Sequence, residues 1–410
     1  MAKILFLAHR IPYPPNKGDK IRSWNFLRHL ARKHDVQAGF FIDDPSDIQH
    51  VPFLENYCAK VFWEFASPRK QKLSSLRGFL TGHSLTEMAY PSNSLRDQVA
   101  ATLDEGVDLV FLYSAACRSF LPETVTVPVI TDFVDVDSEK WKAYSSSHKG
   151  PMAWAYGREG RLLADYERRL AQESRVSIFV SGDEANLFRK NSAAAGVSAN
   201  IVGIPNGVET DKFDPSKYTV EHTGNRRILF TGAMDYAPNI EAVVWFVEEI
   251  FPRIVNDNEN VEFFVAGRPV APAVAALGAV DSVTIVGGVN DMAAEISHAD
   301  IVVAPLLTAR GIQNKVLEGM AMAKPVVCTQ AANEGINAPH KKSILVADTA
   351  QEFADAVTSI LKDQNSAKRL GLAARSFVAD NNSWEAAFSL LDDEINKALV
   401  ESVEQEPNES

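Results

Sequence analysis

Ala304-Pro-Leu-Leu-Thr-Ala-Arg-Gly-Ile-Gln-Asn-Lys-Val-Leu-Glu-Gly-Met-Ala-Met-Ala-Lys-Pro-Val-Val327 is the stretch whose reading decides the fold. The run Asp300 to Pro305 reads as a buried strand, and a short loop ending at Gly311 follows it. A helix is expected from about Ile312 to Met322, then a second buried strand opened by Pro325. A strand that meets a helix start through a glycine loop turns unpaired backbone N–H groups and the positive end of the helix dipole toward one point, which suits a phosphate. Lys315 and Glu318 fall one turn apart on one helix face, below Gly311, with Ile312 and Gln313 at the helix start. Val316, Leu317, Met320 and Ala321 occupy the opposite face and suit packing on a sheet. A cation and a carboxylate beside such a helix start match a diphosphate and a sugar hydroxyl. The alternative is a solvated Lys–Glu pair on an ordinary βα unit.

Outward from that stretch, short apolar runs alternate with helical patterns, the signature of parallel αβ layers. In the first half the candidate strands are Lys3–Ala8, Val36–Ile42, Lys60–Phe65, Asp108–Tyr113, Val127–Thr131, Ser177–Val180 and Asn200–Ile204. Ile204-Pro-Asn-Gly-Val-Glu-Thr-Asp-Lys-Phe213 is turn chemistry followed by a polar run, and places a domain boundary at 205/206. The series restarts with Ile228–Thr231, Val261–Ala266, Val283–Val286, Ile301–Ala304 and Val326–Cys328. The expectation is an α/β chain of two doubly wound Rossmann-like domains, 1–205 and 206–383, facing across a cleft. A helix over 384–400 is expected to pack back toward the first domain, ahead of an acidic tail, 401–410, read as disordered.

With 410 residues, 46% hydrophobic and 23% charged, the composition is that of a globular enzyme with two domains. A formal net charge of -12 argues against a general nucleic-acid binder. Three cysteines without C-x-x-C spacing imply neither a disulfide framework nor a zinc site, and fit a cytoplasmic protein. No run approaches the roughly 18 apolar residues of a membrane span.

Other constellations are weaker alone. Arg227-Ile-Leu-Phe-Thr-Gly232 is a second strand that ends on glycine, and Pro238 opens the next helix. Gly232 and Asn239 therefore join the candidate anion site, and the loop Gly287-Gly-Val-Asn-Asp291 offers Gly287 and Val289 for a flat base. In the first domain, His9-Arg-Ile-Pro-Tyr-Pro-Pro-Asn-Lys-Gly-Asp-Lys-Ile-Arg22 links the first strand to the first helix; Gly18 allows close backbone approach there. Neither G-x-G-x-x-G nor G-x-x-x-x-G-K-[ST] is present, which weighs against dehydrogenases and P-loop enzymes. Asp132-Phe-Val-Asp-Val-Asp137 contains a D-x-D; its carboxylates read as ligands of an acceptor hydroxyl or as helix caps rather than as metal ligands. Arg69–Leu80 is basic and amphipathic, so either a peripheral membrane contact or a solvated face.

On these residues the chain resembles the GT-B glycosyltransferases of family 4, from Lys3 to about Val400. The likeness is carried by Lys17-Gly18-Asp19, Pro205-Asn206-Gly207-Val208, Gly232, Lys315-Val-Leu-Glu318 with Met320-Ala321, and Pro325-Val-Val327. More narrowly, His9 to Pro15, Asp132 to Ser138 and Arg310 to Lys315 are similar to sugar transferases of exopolysaccharide loci associated with the PEP-CTERM/exosortase system. The resemblance implies a nucleotide-sugar donor, UDP- or GDP-linked, held in the second domain by Gly232, Asn239, Gly287, Val289, Arg310, Gly311, Ile312, Gln313, Lys315 and Glu318. It implies a saccharide or lipid-linked acceptor held in the first by Lys17, Gly18, Asp19, Arg22, Asp132, Asp135 and Asp137. Glu318 would bind the ribose, and Lys315, with the backbone near Gly311, would neutralise the departing diphosphate with no metal or other cofactor, in a transfer that retains the anomeric configuration. Lys315 and Asp135 are the expected catalytic residues. Two departures stand out: the first Glu of the family's Glu-x7-Glu pair falls at Arg310, and no His follows the strand that runs into Asp132–Asp137. The competing readings are a non-hydrolysing nucleotide-sugar epimerase and a catalytically silent scaffold on the same fold. The place of work implied is the inner face of the cytoplasmic membrane.

Overall fold

A computed structural model describes residues 1–15, 18–66, 78, 81–219, 224–309 and 312–400, with the backbone of 401–403. Two compact units emerge: Met1–Pro205 together with the chain from Phe388 onward, and Asn206–Ala387. Among the described residues no helix is long and apolar enough to cross a membrane.

The first unit is a sheet of seven parallel strands: β1 (Lys3–Ala8), β2 (Asp35–Ile42), β3 (Lys60–Phe65), β4 (Leu109–Tyr113), β5 (Val129–Val134), β6 (Val176–Phe179) and β7 (Ile201–Gly203), in the order β3-β2-β1-β4-β5-β6-β7. Its site-bearing helices are α1 (Gly18–Lys33), α2 (Asn93–Asp104), α3 (Asp137–Ser147), α4 (Pro151–Glu173) and α5 (Gly182–Ala194). The second unit has six parallel strands: β8 (Arg226–Thr231), β9 (Val261–Ala266), β10 (Val283–Gly287), β11 (Ile301–Ala304), β12 (Val326–Cys328) and β13 (Leu345–Val346), in the order β10-β9-β8-β11-β12-β13. Helices α6 (Ala237–Trp245), α7 (Asn314–Ala321), α8 (Ala350–Lys362) and α9 (Gln364–Asn381) accompany them, and α10 (Trp384–Val403) ends the described chain.

The apolar runs have a simple cause. Helices cover both faces of a parallel sheet, so alternate side chains both enter a core. Leu109–Tyr113 and Ile301–Ala304 are accordingly buried at every position. In each sheet the strand order reverses once, between β1 and β4 and between β8 and β11. Strands on the two sides of such a reversal send their helices to opposite faces. A crevice is left at their carboxyl ends, the usual ligand position in open αβ sheets.

Several strand ends shift by a residue or so from the sequence expectation, and α10 runs on to Val403, into the segment read as a disordered tail; three further differences have a plain cause. β5 runs on through Asp132 to Val134 instead of stopping at Thr131, because Arg22 neutralises Asp132 and lets it be buried. The helix after β11 begins at Asn314, not Ile312, since Gln313 keeps an extended backbone (φ -89°, ψ 96°). The two-residue strand β13 was not anticipated; so short a run gives no periodicity to read.

Candidate functional site

The crevice at the β8/β11 reversal collects most of the second unit's candidate residues. β8 ends in Thr231-Gly232, and Gly232 has φ +153°. A Cβ there would stand 2.8 Å from Asn239 Nδ2 and 3.3 Å from Lys315 Cε. Asn239 lies in the first turn of α6, is buried, and donates from Nδ2 to the Ala233 carbonyl at 2.8 Å. Its Oδ1 accepts from Lys315 Nζ at 2.5 Å. The same ammonium sits 4.7 Å from the centre of the Phe230 ring, on its electron-rich face. No side chain caps α7 at Gln313, so the N–H groups of its first turn point outward with the dipole's positive end behind them. Lys315, Gly232, Asn239, Gln313 and Ile312 thus lie around one crevice, while Arg310 and Gly311 fall outside the described residues.

Electrostatics give this cluster its character. Lys315 is only 8% exposed. Burial pushes its ammonium down to about 8, against a smaller pull from Glu318. Burial likewise pushes the Glu318 carboxyl up to about 7, which Lys212 and Lys315 partly offset. For Glu318, raised from 4.5, folding stability falls as pH climbs through 4.5 to 7; for Lys315, lowered from 10.5, it recovers only between 8 and 10.5. Around pH 7 to 8 the empty site therefore holds two charges that burial disfavours. A ligand that brings a diphosphate to one and hydroxyls to the other relieves both.

Beside this lies a stack of glycines. Gly232 N–H donates to the Ala266 carbonyl at 3.0 Å, and Gly267 N–H to the Gly287 carbonyl at 2.6 Å. A Cβ on Gly267 would stand 1.7 Å from the Gly232 carbonyl oxygen, so only glycine fits. Three neighbouring strand ends thereby present bare backbone. Val289 is half-buried, and its loop is anchored by Asp291, which caps the next helix and accepts a bond from Tyr218 Oη at 3.0 Å.

The first unit has its own crevice at the β1/β4 reversal. Gly18 opens α1, and a Cβ there would meet nothing within 4 Å, so the space before the helix start is open. Asp19 accepts from Arg10 Nη1 at 2.8 Å, and Arg10 Nε also lies 2.8 Å from Asp43. Burial opposes ionisation of Asp19, yet Arg10 and His9 outweigh it and hold the carboxyl below the usual range. His9 closes the cluster, with Nε2 3.8 Å from Asp19 and Nδ1 3.2 Å from Ser114 Oγ. Burial, then Arg10, push its imidazole below the ordinary value, so the ring is neutral at pH 7. Tyr113 Oη donates to the Asp19 carbonyl at 2.8 Å.

Arg22 and Asp132, expected at the acceptor, are elsewhere in their chemistry. Both are 0% exposed. Arg22 Nε and Nη2 donate to the two Asp132 oxygens at 2.7 and 3.2 Å, and Nη1 to the Ile204 carbonyl at 2.9 Å. This bidentate pair ties α1 to the ends of β5 and β7, and its atoms are spent on each other rather than offered to an acceptor. Asp135 and Asp137 are half-buried at the start of α3, where Lys140 Nζ bridges them at 2.7 and 2.9 Å and is itself held well above the usual ammonium range by them. Lys140 occupies the position from which a cation would bridge this D-x-D. Lys17 and most of Arg69–Leu80 fall outside the described residues.

With this geometry in place, comparison with known proteins is direct. A family model described as glycosyl transferases group 1 matches residues 225–363, the part of the second unit that carries β8, α7 and Lys315. The chain is a GT-B glycosyltransferase. An uncharacterized 44.6 kDa protein in the cps region of Klebsiella pneumoniae is 22% identical over 95% of this chain and 98% of its own length. A GDP-mannose-dependent alpha-(1-6)-phosphatidylinositol monomannoside mannosyltransferase of Mycobacterium tuberculosis is 25% identical over 62% of this chain and 69% of its own. Among solved structures, the sucrose-phosphate synthase of Thermosynechococcus elongatus superposes with a TM-score of 0.65 at 16% identity, covering 98% of this chain and all of that one. Anabaena HepE, solved in complex with UDP and glucose, gives 0.60 at 14% identity over 97% of this chain and all of its own.

Several residues of this glycosyltransferase's two crevices escaped the sequence reading. Gly267 carried the same signal as Gly232, a glycine directly after an apolar strand, and was passed over. Phe230 looked like any core aromatic. Lys212, felt by Glu318 from the turn after Pro205-Asn206-Gly207, is too far away in sequence for any pattern to connect. His9 stood inside a motif already quoted, but its partners Ser114 and Tyr113 are brought to it only by β4 pairing with β1.

Proposed function

We propose that this glycosyltransferase moves a sugar from a UDP- or GDP-linked donor to a growing exopolysaccharide or lipid-linked saccharide, with retention at the anomeric carbon and without a metal ion. One observation carries the reading: the buried Lys315 ammonium beside the uncapped start of α7, with Glu318 one turn along. In this reading the donor diphosphate accepts hydrogen bonds from Lys315 and the first-turn N–H groups. The ribose hydroxyls bond Glu318, and the base lies over the bare backbone of Gly267 and Gly287.

During transfer the bond from the anomeric carbon to the diphosphate oxygen breaks, and negative charge develops on that oxygen. Lys315 and the α7 dipole, already oriented and shielded from water, favour the charged leaving group more than the intact donor. The acceptor oxygen attacks from the same face, and its proton passes to the departing phosphate. On the acceptor side, Asp135 at the β5 end and Asp19 with neutral His9 supply acceptors for sugar hydroxyls. The cps-region relative favours a role in surface polysaccharide assembly, and the mannosyltransferase relative acts on a lipid-borne acceptor. The narrower likeness to PEP-CTERM/exosortase-associated enzymes belongs to this proposal.

The test is transfer of radiolabelled sugar from a panel of UDP- and GDP-sugars to lipid extracts and oligosaccharides, with EDTA throughout. The anomeric configuration of product is read by NMR. Acceptor-dependent, EDTA-insensitive turnover with retention is expected. Acceptor-independent isomerisation of the donor would instead make the protein an epimerase.

A further inference from the structure

The helical hairpin of α3 and α4 carries side chains that sugar transfer does not use. Its two helices close on small groups: Ala153, Gly157, Gly160 and Ala164 repeat along α4. A Cβ on Gly160 would stand 3.2 Å from the Lys142 nitrogen and the Ser138 oxygen, and one on Gly157 2.9 Å from Ser145 Oγ. Ser145 Oγ also donates to the Ala153 carbonyl at 2.8 Å. With the seam filled by backbone and small residues, the large side chains at the tip are not needed as core and turn outward. Tyr144 is 52% exposed, Met152 51% and Trp154 62%. Trp141, Tyr144 and Tyr156 pack on one another with ring centroids 5.5 to 6.1 Å apart, and His148 lies edge-on to Tyr156 at 5.1 Å.

The charge pattern is equally one-sided. From Trp141 to Arg158 the chain has three cations, Lys142, Lys149 and Arg158, and no Asp or Glu, in a protein of net charge -12. Lys142 bonds Glu139 at its base and Arg158 the Gly78 carbonyl, so exposed Lys149 at the turn is the tip's cation.

We propose that this tip seats in the headgroup region of an anionic lipid surface. Indole and phenol rings, each with an apolar body and a polar edge, favour that depth, and lysines beside it are drawn to acidic headgroups. Charge also argues against a second copy as the occupant, since two such tips would bring Lys149 against Lys149. α3 starts at the carboxyl end of β5 and spans 11 residues, so the tip stands about 16 Å from Asp135, within reach of a lipid-borne substrate. The contact itself does not depend on the transfer reading.

The test is cosedimentation of the full chain with phosphatidylcholine vesicles, with and without phosphatidylglycerol, alongside sedimentation velocity without lipid. Wild type is compared with Lys149→Glu and with Met152→Ser/Trp154→Ser, and melting temperatures serve as the control for folding. Partition onto phosphatidylglycerol vesicles is expected, weakened tenfold or more by each variant and by high salt. Binding that survives both variants places the lipid contact elsewhere and overturns the proposal. So does failure to bind anionic vesicles, or a self-association that the double variant abolishes.

Discussion

Replacing Lys315 by methionine separates the two things burial does to this side chain. At pH 7 the folded protein keeps an ammonium whose pKa lies near 8, about 2.5 below the value of 10.5. At 1.36 kcal/mol per unit this is a standing cost of about 3 kcal/mol. Two contacts offset part of it: the bond to Asn239, worth about 1 kcal/mol, and the Phe230 face, worth about 1 to 2 kcal/mol. Lys315→Met keeps the stem and removes the charge. The empty protein should therefore be unchanged or more stable in urea at pH 7, by at most about 1 kcal/mol. Wild type should gain on it as pH rises from 8 toward 10.5, where the wild-type lysine is neutral. Nucleotide binding should move the other way: loss of a charge-assisted bond worth about 1.5 to 3 kcal/mol lowers affinity by roughly 10- to 150-fold. Calorimetry adds a signature that a merely structural lysine lacks. A diphosphate that draws a proton onto Lys315 gives proton uptake at pH 8, read as a difference in binding enthalpy between two buffers of unlike ionisation enthalpy. A variant that is clearly destabilised when empty, or that binds nucleoside diphosphate as wild type does with the same proton uptake, refutes the reasoning.

Glu318 titrates near 7 when the site is empty, and its ionised form is the one that accepts ribose bonds, so donor affinity should rise as pH climbs from 6 past 7 and fall again above 8, where Lys315 loses its proton. Glu318→Gln should remove the rise and keep the fall, measured by titration at each pH. Arg22→Met leaves Asp132 buried and unpaired and should cost about 3 to 5 kcal/mol in urea unfolding, with much of it restored in Arg22→Met/Asp132→Leu; a loss under 1 kcal/mol would mean the pair is not closed as described. Gly267→Ala forces a Cβ onto the Gly232 carbonyl and should cost about 1 to 3 kcal/mol together with nucleotide affinity. Gly182→Ala, where a Cβ meets nothing, is its control and should fall within about 0.5 kcal/mol.

The legible parts of this protein were those whose signal is local. Parallel strands buried on both faces write themselves as short apolar runs, and a strand, a glycine loop and a helix with Lys315 and Glu318 on one face can be read without knowing any neighbour. What failed was knowledge of partners. Asp132 read as a ligand of an acceptor hydroxyl or as a helix cap because nothing nearby in sequence announces Arg22, 110 residues away and holding it in the interior. Asp135 and Asp137 looked alike until Lys140 was seen to bridge them. His9 lacked a role until β4 came to lie beside β1. Sequence periodicity carries the layers; the pairing of groups across the sheet is set by topology, which joins Arg22 to Asp132 and His9 to Ser114 over more than a hundred residues of chain.

The most direct test of the account is a thermal-shift screen of the purified chain against UDP, GDP and their sugar conjugates, with and without EDTA, repeated for Lys315→Ala. A ligand at a hundred times its dissociation constant adds about 2.7 kcal/mol to stability, a clear upward shift of the melting temperature. The account predicts a shift selective for one base, insensitive to EDTA and lost in Lys315→Ala. No shift with any nucleotide, or an equal shift in wild type and variant, would contradict the assignment of the donor site.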